Sequence, residues 1–238
     1  MYALSRFWQS TIGKKIVMAV TGIIGILFVI GHMSGNFLMF KGQGAMHDYA
    51  LLLRTSMPLL WAIRLGLLAA VVLHAVAAYQ LTMMSKAARP QDYAVRSPQV
   101  TTLAAKTIRW GGVLLLAFIV FHILHMTVGA VHPQFTHLDP YNNVRIGLAN
   151  PAVAAFYVLA MAALGLHLYH GGWAVVRTLG VARPSAQPLK RTLSLIIAIV
   201  VAGGFIAIPV ATMAGLFPEA PALQESAAES TTAAAETH

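Results

Sequence analysis

Five long apolar segments, separated by short polar ones, dominate the pattern of hydrophobic and polar residues along the chain. Each has about 20 residues or more, the length at which an α-helix crosses a bilayer core of about 30 Å. They are residues 16–40, 58–84, 106–131, 151–177 and 193–217. The pattern therefore predicts an all-α membrane protein with five transmembrane helices.

The segments that flank the five predicted spans differ in character. Residues 1–15 carry three basic side chains, and we expect them to form a short N-terminal segment in the cytoplasm. The first span is too long for the apolar region of a signal peptide and lacks a convincing cleavage site, so residues 16–217 are treated as one membrane domain. Residues 218–238 are rich in Ala, Ser, Thr and Glu without an apolar period, which predicts a disordered tail on the outer side.

The composition agrees with a membrane protein and excludes several kinds of site. Hydrophobic residues make up 58% of the chain and charged residues 10%, against about 25% charged residues in an average soluble domain. Since there is no cysteine, the chain forms no disulfide, offers no thiolate to haem iron and ligates no iron–sulfur cluster by cysteine. A glycine-rich phosphate loop after a strand is also missing.

The positive charges indicate an orientation in the membrane rather than nucleic-acid binding. The net charge of +9 comes from 16 Lys and Arg residues against 7 Asp and Glu residues. Twelve of the basic residues fall before the first span or around the loops after the second and fourth spans, and four fall on the other side. Because segments rich in Lys and Arg stay in the cytoplasm, we expect the N-terminus there and the C-terminus outside.

Histidines inside the predicted spans carry the candidate chemistry. Four of the five spans contribute at least one, and the set is His32, His74, His122, His125 and His167, with His170 one turn beyond His167. Ionisable side chains are costly in lipid and usually face the bundle interior, where they have a function. One such histidine alone is more often a packing residue hydrogen-bonded to a neighbouring helix, but four helices that each supply one suggest a common purpose.

The depths of four of these histidines fall into two layers. His32 and His122 lie nine and ten residues before the polar ends of their spans, or roughly 14 and 15 Å at a rise of about 1.5 Å per residue. His74 and His167 each lie sixteen residues after the proline that opens their span, or roughly 24 Å. An outer pair, His32 with His122, and an inner pair, His74 with His167, are what two stacked haems with two axial imidazoles each require. The sequence therefore predicts four helices that form a haem-binding bundle.

Two alternatives to haem use the same histidines. His122 with His125, and His167 with His170, are spaced i, i+3 and share a helix face, so each pair could hold a non-haem metal ion. Such sites usually add carboxylates, and no Asp or Glu lies inside a predicted span, which favours haem. The other alternative is a transporter that relays protons through histidines, but no inverted repeat or buried carboxylate supports it.

Several stretches of the chain resemble one family of membrane cytochromes. They are RFWQSTIGKKIVMAVTG and GHMSGNFLMF in the first span, LLAAVVLHAVAAYQL with KAARPQDYA after it, FIVFHILHM, and GLHLYHGGWAVVRTLG. They are similar to the single-chain, five-helix, two-haem cytochrome b anchors of bacterial succinate dehydrogenases and fumarate reductases. The resemblance covers residues 6 to about 217.

The resemblance implies a subunit of succinate:quinone oxidoreductase, respiratory complex II, in a bacterial plasma membrane. In that complex a flavoprotein oxidises succinate in the tricarboxylic acid cycle and an iron–sulfur subunit relays the electrons. The anchor binds no succinate; it passes electrons through two b haems to a quinone, with menaquinone expected. Higher oligomers of the complex are compatible with the resemblance. The alternatives in the same class are the anchor of a fumarate reductase or of another two-haem quinone oxidoreductase.

The resemblance also selects among the histidines. It implies haem ligands at His32, His74, His122 and His167, and so chooses His122 over His125 and His167 over His170. His125 and His170 then become candidates for contacts around the haems or the quinone, or for ordinary hydrogen-bonded packing.

Weaker candidates lie near the ends of the spans. Arg64, a cation in the outer part of the second span, could bind a haem propionate or a quinone carbonyl, or extend to the interface, and we favour the propionate. Three histidines between the spans, His47, His132 and His137, are expected to be solvated loop residues.

The predicted orientation can be tested with reporter fusions. A reporter that is active only in the periplasm should be active after Thr237 and silent after Arg89, because the basic residues hold the N-terminal side in the cytoplasm. Reporter activity in whole cells measures both fusions. The reverse pattern would overturn the orientation and exchange the inner and outer histidine pairs.

Overall fold

The chain folds into α-helices throughout the part that the structure describes. The computed structural model describes residues 2–88, 102–180, 187–221 and 223. These residues contain no strand, and their helices are α1 (Tyr2–Gln9), α2 (Thr11–Asn36), α3 (Gln43–Arg54), α4 (Met57–Ala87), α5 (Leu103–Ile123), α6 (Pro140–Gly147), α7 (Pro151–Thr178) and α8 (Gln187–Met213). A 3₁₀ turn, Phe37–Lys41, extends α2, and a π turn, Leu124–Val128, extends α5.

Five of the helices are long and apolar enough to cross a membrane, which confirms the predicted fold class. They are α2 with its 3₁₀ turn, α4, α5 with its π turn, α7 and α8. Large apolar side chains lie exposed along them, such as Leu27, Leu65, Val113 and Ile199. Because lipid cannot hydrogen-bond a backbone, helices with an apolar exterior are suited to it. The chain is therefore a multi-pass membrane protein.

The first spanning helix begins earlier than the apolar pattern predicted. Helix α2 starts at Thr11 rather than at residue 16, because Ser10 is its N-cap and the Ser10 Oγ accepts the Gly13 N–H at 2.8 Å. Lys14 thus lies in the first turn, buried, where its Nζ donates to the Trp8 carbonyl. Residues 1–15, predicted as a short N-terminal segment before the first span, therefore contain the short helix α1 and the start of that span.

The third spanning helix ends at Val128 rather than at residue 131. After the π turn the chain reaches Gly129, whose φ of 80° lies in the left-handed region that glycine adopts without strain. A Cβ at this position would also collide with the Phe135 ring. The helix therefore ends before Gly129, although the apolar residues continue to Val131.

Helix α7 is at the centre of the helix packing. It packs against α2, α5 and α8, while α2 also packs against α4 and α8. Helices α7 and α8 approach each other closely at Gly165, which has no Cβ. A Cβ added there would lie 3.0 Å from the Ala202 Cβ. Helix α8 runs over Gln187–Met213 with Pro209 inside it, earlier than the predicted 193–217. The candidate histidines lie on α2, α4, α5 and α7, and α8 packs against two of these helices, α7 and α2.

Two short helices, α3 and α6, form a cap at one end of the spanning helices together with residues 218–221. The buried carboxylate of Asp139 lies at its centre: Oδ1 accepts the Asn142 N–H at 3.2 Å, as the N-cap of α6. The other oxygen, Oδ2, accepts the side-chain amides of Asn142 at 2.8 Å and of Gln43 at 3.1 Å. The Gln43 amide also donates to the Pro221 carbonyl at 2.8 Å. One buried carboxylate therefore joins α3 to α6.

The start of the predicted disordered tail is bonded to this cap. The Tyr141 Oη donates to the Pro218 carbonyl at 3.1 Å, and the Asn142 amide donates to the Ala220 carbonyl at 3.1 Å. Burial raises the pKa of the Tyr141 phenol, which keeps it a donor. The first residues of the predicted tail are thus held through their backbone carbonyls, which requires no apolar period.

Part of the predictions falls on segments outside the described residues. These segments are residue 222 and residues 224–238 of the tail, and the loops 89–101 and 181–186. The two loops carry several of the basic residues on which the predicted orientation depends.

The cap should depend on the Asp139 carboxylate. Asp139→Ala removes an N-cap and leaves buried amide donors without an acceptor, so it should destabilise the cap by about 2–4 kcal/mol. The matched control is Asp48→Ala, since Asp48 lies exposed on α3. The thermal midpoint in detergent and the rate of protease cleavage after Gln43 measure the effect. Equal midpoints and cleavage rates for the two variants would show that the Asp139 carboxylate does not stabilise the cap.

Candidate functional site

The four histidines predicted as ligands meet in two pairs. The ring centroids of His32 on α2 and His122 on α5 lie 5.8 Å apart, with the ring planes at 76°. Those of His74 on α4 and His167 on α7 lie 6.0 Å apart, with the planes at 51°. We call His32 and His122 the cap-side pair and His74 and His167 the far-side pair. Each pair joins two different helices and contains the partners that the depth calculation predicted.

The spacing within each pair suits a metal ion between two imidazoles. A bond from a metal to an imidazole nitrogen is about 2 Å long, so nitrogens on opposite sides of one metal lie about 4 Å apart and the ring centroids roughly 6 Å apart. Both histidine pairs have this separation. The angle between the ring planes is no obstacle, because each imidazole can turn about its own bond to the metal.

Aromatic side chains surround the cap-side pair. Phe28 stacks on His32 with the ring centroids 5.3 Å apart, and Phe118 stacks on His122 at 5.6 Å. Phe205, from α8, lies 5.8 Å from the His32 ring. Apolar surroundings of this kind limit the access of water to a bound group and influence its redox potential.

A close backbone and an apolar groove flank the far-side pair. A Cβ on Gly22 would lie 3.5 Å from the His74 Cε1, so the α2 backbone passes next to this imidazole. A groove of about 230 Å³, lined mainly by apolar side chains of α5 and α7, lies beside His167. The buried Nδ1 of His167 has no hydrogen-bond partner in the described part of the chain. A flat apolar group that carries a metal fits this combination of groove and unpartnered imidazole.

Hydroxyl groups orient one histidine in each pair. The His74 Nδ1 lies 3.1 Å from the Thr21 Oγ1, and the Thr21 hydroxyl hydrogen is directed to the Val17 carbonyl at 2.7 Å. If His74 binds a metal through Nε2, its Nδ1 carries the hydrogen and donates to Thr21, whose hydroxyl lies within reach of the Val17 and Met18 carbonyls. In the cap-side pair, the His122 Nδ1 lies 3.2 Å from the Tyr157 Oη. Sequence reasoning missed Thr21 and Tyr157, since single hydroxyls in apolar spans have no diagnostic spacing.

The second histidine on α5 and on α7 lies outside the facing pairs. His125 lies in the π turn, only 1% exposed, with its Nδ1 2.9 Å from the Tyr157 Oη. His170 lies half-buried next to His167 on α7, while the His74 ring faces His167. The structure thus connects His125 to the cap-side pair through Tyr157.

The three histidines that the structure describes outside the spans differ from one another. His132 is 8% exposed; its Nε2 donates to the Asn143 carbonyl at 2.8 Å, and its Nδ1 accepts the Gln134 N–H at 3.0 Å. His47 is partly buried and bonded to a backbone carbonyl, whereas His137 is exposed as predicted. The prediction of solvation was wrong for His132, because the loop after Gly129 folds back and places its ring 5.1 Å from that of His125, tilted by 31°.

Arg64 lies at the edge of a polar groove beside the cap. The side chain is exposed, with its guanidinium carbon 5.3 Å from the centre of the Trp61 ring. The groove has a volume of about 300 Å³, and its polar lining includes Arg54, Thr127, Thr136 and His137. Two guanidinium groups beside hydroxyls suit an anionic ligand, a propionate included, although Arg64 contacts neither histidine pair directly.

The histidines are arranged in pairs rather than in larger clusters. Within residues 2–88, 102–180, 187–221 and 223, no three His, Cys, Asp or Glu side chains converge on a position for a metal ion. A haem iron needs only two imidazoles, whereas non-haem sites use more protein ligands. Comparison with known proteins finds no matching family model, no matching curated protein and no matching solved structure.

Proposed function

We propose that the chain is the cytochrome b membrane anchor of a succinate:quinone oxidoreductase. The observation that carries the proposal is the presence of two facing imidazole pairs, with ring centroids 5.8 and 6.0 Å apart, between helices that cross the membrane. Two bis-histidine positions at different depths of one bundle suit two b-type haems.

The four imidazoles have the same role in this proposal. His32 with His122, and His74 with His167, would hold the two haems axially. Haem, when bound, supplies reversible one-electron chemistry, and the protein supplies orientation, burial and hydrogen bonds. Thr21 fixes the His74 tautomer, and the aromatic rings on either side of the cap-side pair keep water away from it.

The sequence resemblance supports the partners and the orientation. An iron–sulfur subunit would bind the basic cytoplasmic face, with a flavoprotein that oxidises succinate beyond it. Because this chain has no cysteine, the clusters belong to that partner. The electrons would pass to a quinone, with menaquinone favoured, and Arg64 would bind a haem propionate on the outer side. The complex would lie in a bacterial plasma membrane, with the N-terminus of this chain in the cytoplasm and its C-terminus outside.

Two other functions use the same membrane fold. A fumarate reductase anchor, or the anchor of another two-haem quinone oxidoreductase, would have the same histidine pairs but another electron donor or direction. A proton-relaying transporter would need intramembrane groups in a chain across the bilayer. The five spanning helices contain no Asp or Glu, and their central histidines face each other in pairs, which favours a cytochrome.

The haem content tests the four-ligand proposal. The purified protein should show a b-type spectrum on reduction with dithionite and two haems per chain by pyridine haemochrome assay. His74→Leu or His167→Leu should lower the ratio to one, because a single imidazole no longer spans the iron. The control His137→Ala, at an exposed histidine, should keep two. A ratio near zero in the unaltered chain, or two haems in both variants, would refute the ligand assignment.

The partners can be tested by purification of a tagged chain in mild detergent. The tag should recover a flavin-containing and an iron–sulfur subunit, and succinate should reduce the haems of the recovered complex. Succinate-driven reduction of a quinone analogue measures the whole reaction. Haem that dithionite reduces but succinate does not, in a complex of other composition, would place the chain in another two-haem quinone oxidoreductase.

A further inference from the structure

The Tyr157 hydroxyl lies between two histidines of one helix. From α7 it reaches the His122 Nδ1 at 3.2 Å and the His125 Nδ1 at 2.9 Å. The Tyr157 side chain is buried, and so is that of His125. The π turn after α5 begins between the two histidines and changes the helical pitch at that point. Both rings thus reach one oxygen, which makes the three side chains a single hydrogen-bonded unit.

The single hydrogen of the phenol fixes the direction of both bonds. A phenol donates one hydrogen bond and accepts others, so Tyr157 can donate to one histidine while it accepts from the other. If His122 binds iron through Nε2, its Nδ1 carries a hydrogen and must be the donor. Tyr157 then accepts from His122 and donates to the Nδ1 of His125. His125 is the end of this chain of bonds, and its own hydrogen is on Nε2.

We propose that Tyr157 and His125 are positioning residues that together set the electron donation of His122 to the cap-side haem iron. The inference rests on the haem ligation proposed above. It adds that two residues other than the four ligating histidines control the properties of one ligand. An acceptor on the far nitrogen of an axial imidazole makes the ligand more basic. A tyrosine oxygen that itself donates a hydrogen bond is a stronger acceptor, because bonds in a chain polarise one another.

The surroundings of His125 hold it in this position. Its ring stacks on Phe121 with the centroids 5.2 Å apart, and it lies over α6, where a Cβ on Gly147 would come within 2.9 Å of the His125 Nε2. The neighbouring His132 is tied at both nitrogens to backbone groups. The imidazole of His125 therefore has little room to leave Tyr157.

The far-side pair has no corresponding extension among the residues that the structure describes. There the acceptor is the Thr21 hydroxyl, and its hydrogen goes to a backbone carbonyl of its own helix instead of to another side chain. The two pairs thus have the same ligands but differ in the group that their hydroxyl bonds next, which is a side chain for Tyr157 and a backbone carbonyl for Thr21. The two haems should differ in midpoint potential for this reason, and each should respond only to its own hydroxyl.

The test is a spectroscopic redox titration of the purified complex with Tyr157→Phe, and with Thr21→Val as the matched variant for the other pair. Tyr157→Phe should keep two haems and shift the reduction equilibrium of the cap-side iron roughly five- to tenfold toward the reduced form. Thr21→Val should shift only the far-side iron. The absorption signal of the cap-side haem is identified as the one that is missing in His32→Leu.

Two substitutions of His125 separate the extended chain of bonds from a role of Tyr157 alone. His125→Leu should shift the cap-side iron in the same direction by a smaller factor, and His125→Gln, whose carbonyl can still accept from Tyr157, should restore the original value. If Tyr157→Phe no longer binds haem, the potentials of the two His125 variants test the inference instead. An unchanged cap-side potential in His125→Leu would overturn the inference, as would equal shifts of both haems. A haem ratio of zero in the unaltered complex would instead refute the proposed function.

Discussion

An imidazole in the hydrocarbon core of a bilayer needs a partner for both of its ring nitrogens, since lipid provides none. The cost of an unpaired buried polar group is about 1–3 kcal/mol, and this bundle contains such groups on four helices. Hydroxyl groups of Thr21 and Tyr157 take up one nitrogen of His74 and of His122, whereas the Nδ1 of His167 has no partner among the described residues. Each ring also faces a second ring from another helix. The contacts of α5 with α7 and of α2 with α4 and α7 bring these rings together.

Much of this arrangement could be predicted from the sequence because it depends on regular helical geometry. A fixed rise per residue places His32 level with His122, and His74 level with His167, once the ends of the apolar segments are known. The same regularity gave the five spans to within a few residues at most ends. Errors arose where local chemistry overrides hydrophobicity. Ser10 starts a helix before the apolar residues begin, and Gly129 stops one before they end.

The parts that could not be predicted depend on contacts between residues far apart in the sequence. Tyr157 reaches His122 and His125 only because α7 lies against α5, and a tyrosine in an apolar span has no spacing that reveals this. His132 belongs to a polar loop, yet the loop returns to the end of α5 and buries it. The choice of His122 and His167 over their neighbours came from the family resemblance, and the ring pairs in the structure contain the same two residues.

The cap has a consequence for how the protein is made. Gln43 follows the first spanning helix, while its acceptor Pro221 follows the last, 178 residues later. A ribosome therefore releases the first partner of this bond long before the second, and the bond can form only after all five helices have been inserted. Until then the carbonyl acceptors for Tyr141 and Asn142 are also absent. Closure of this end of the bundle is thus a late step in biogenesis.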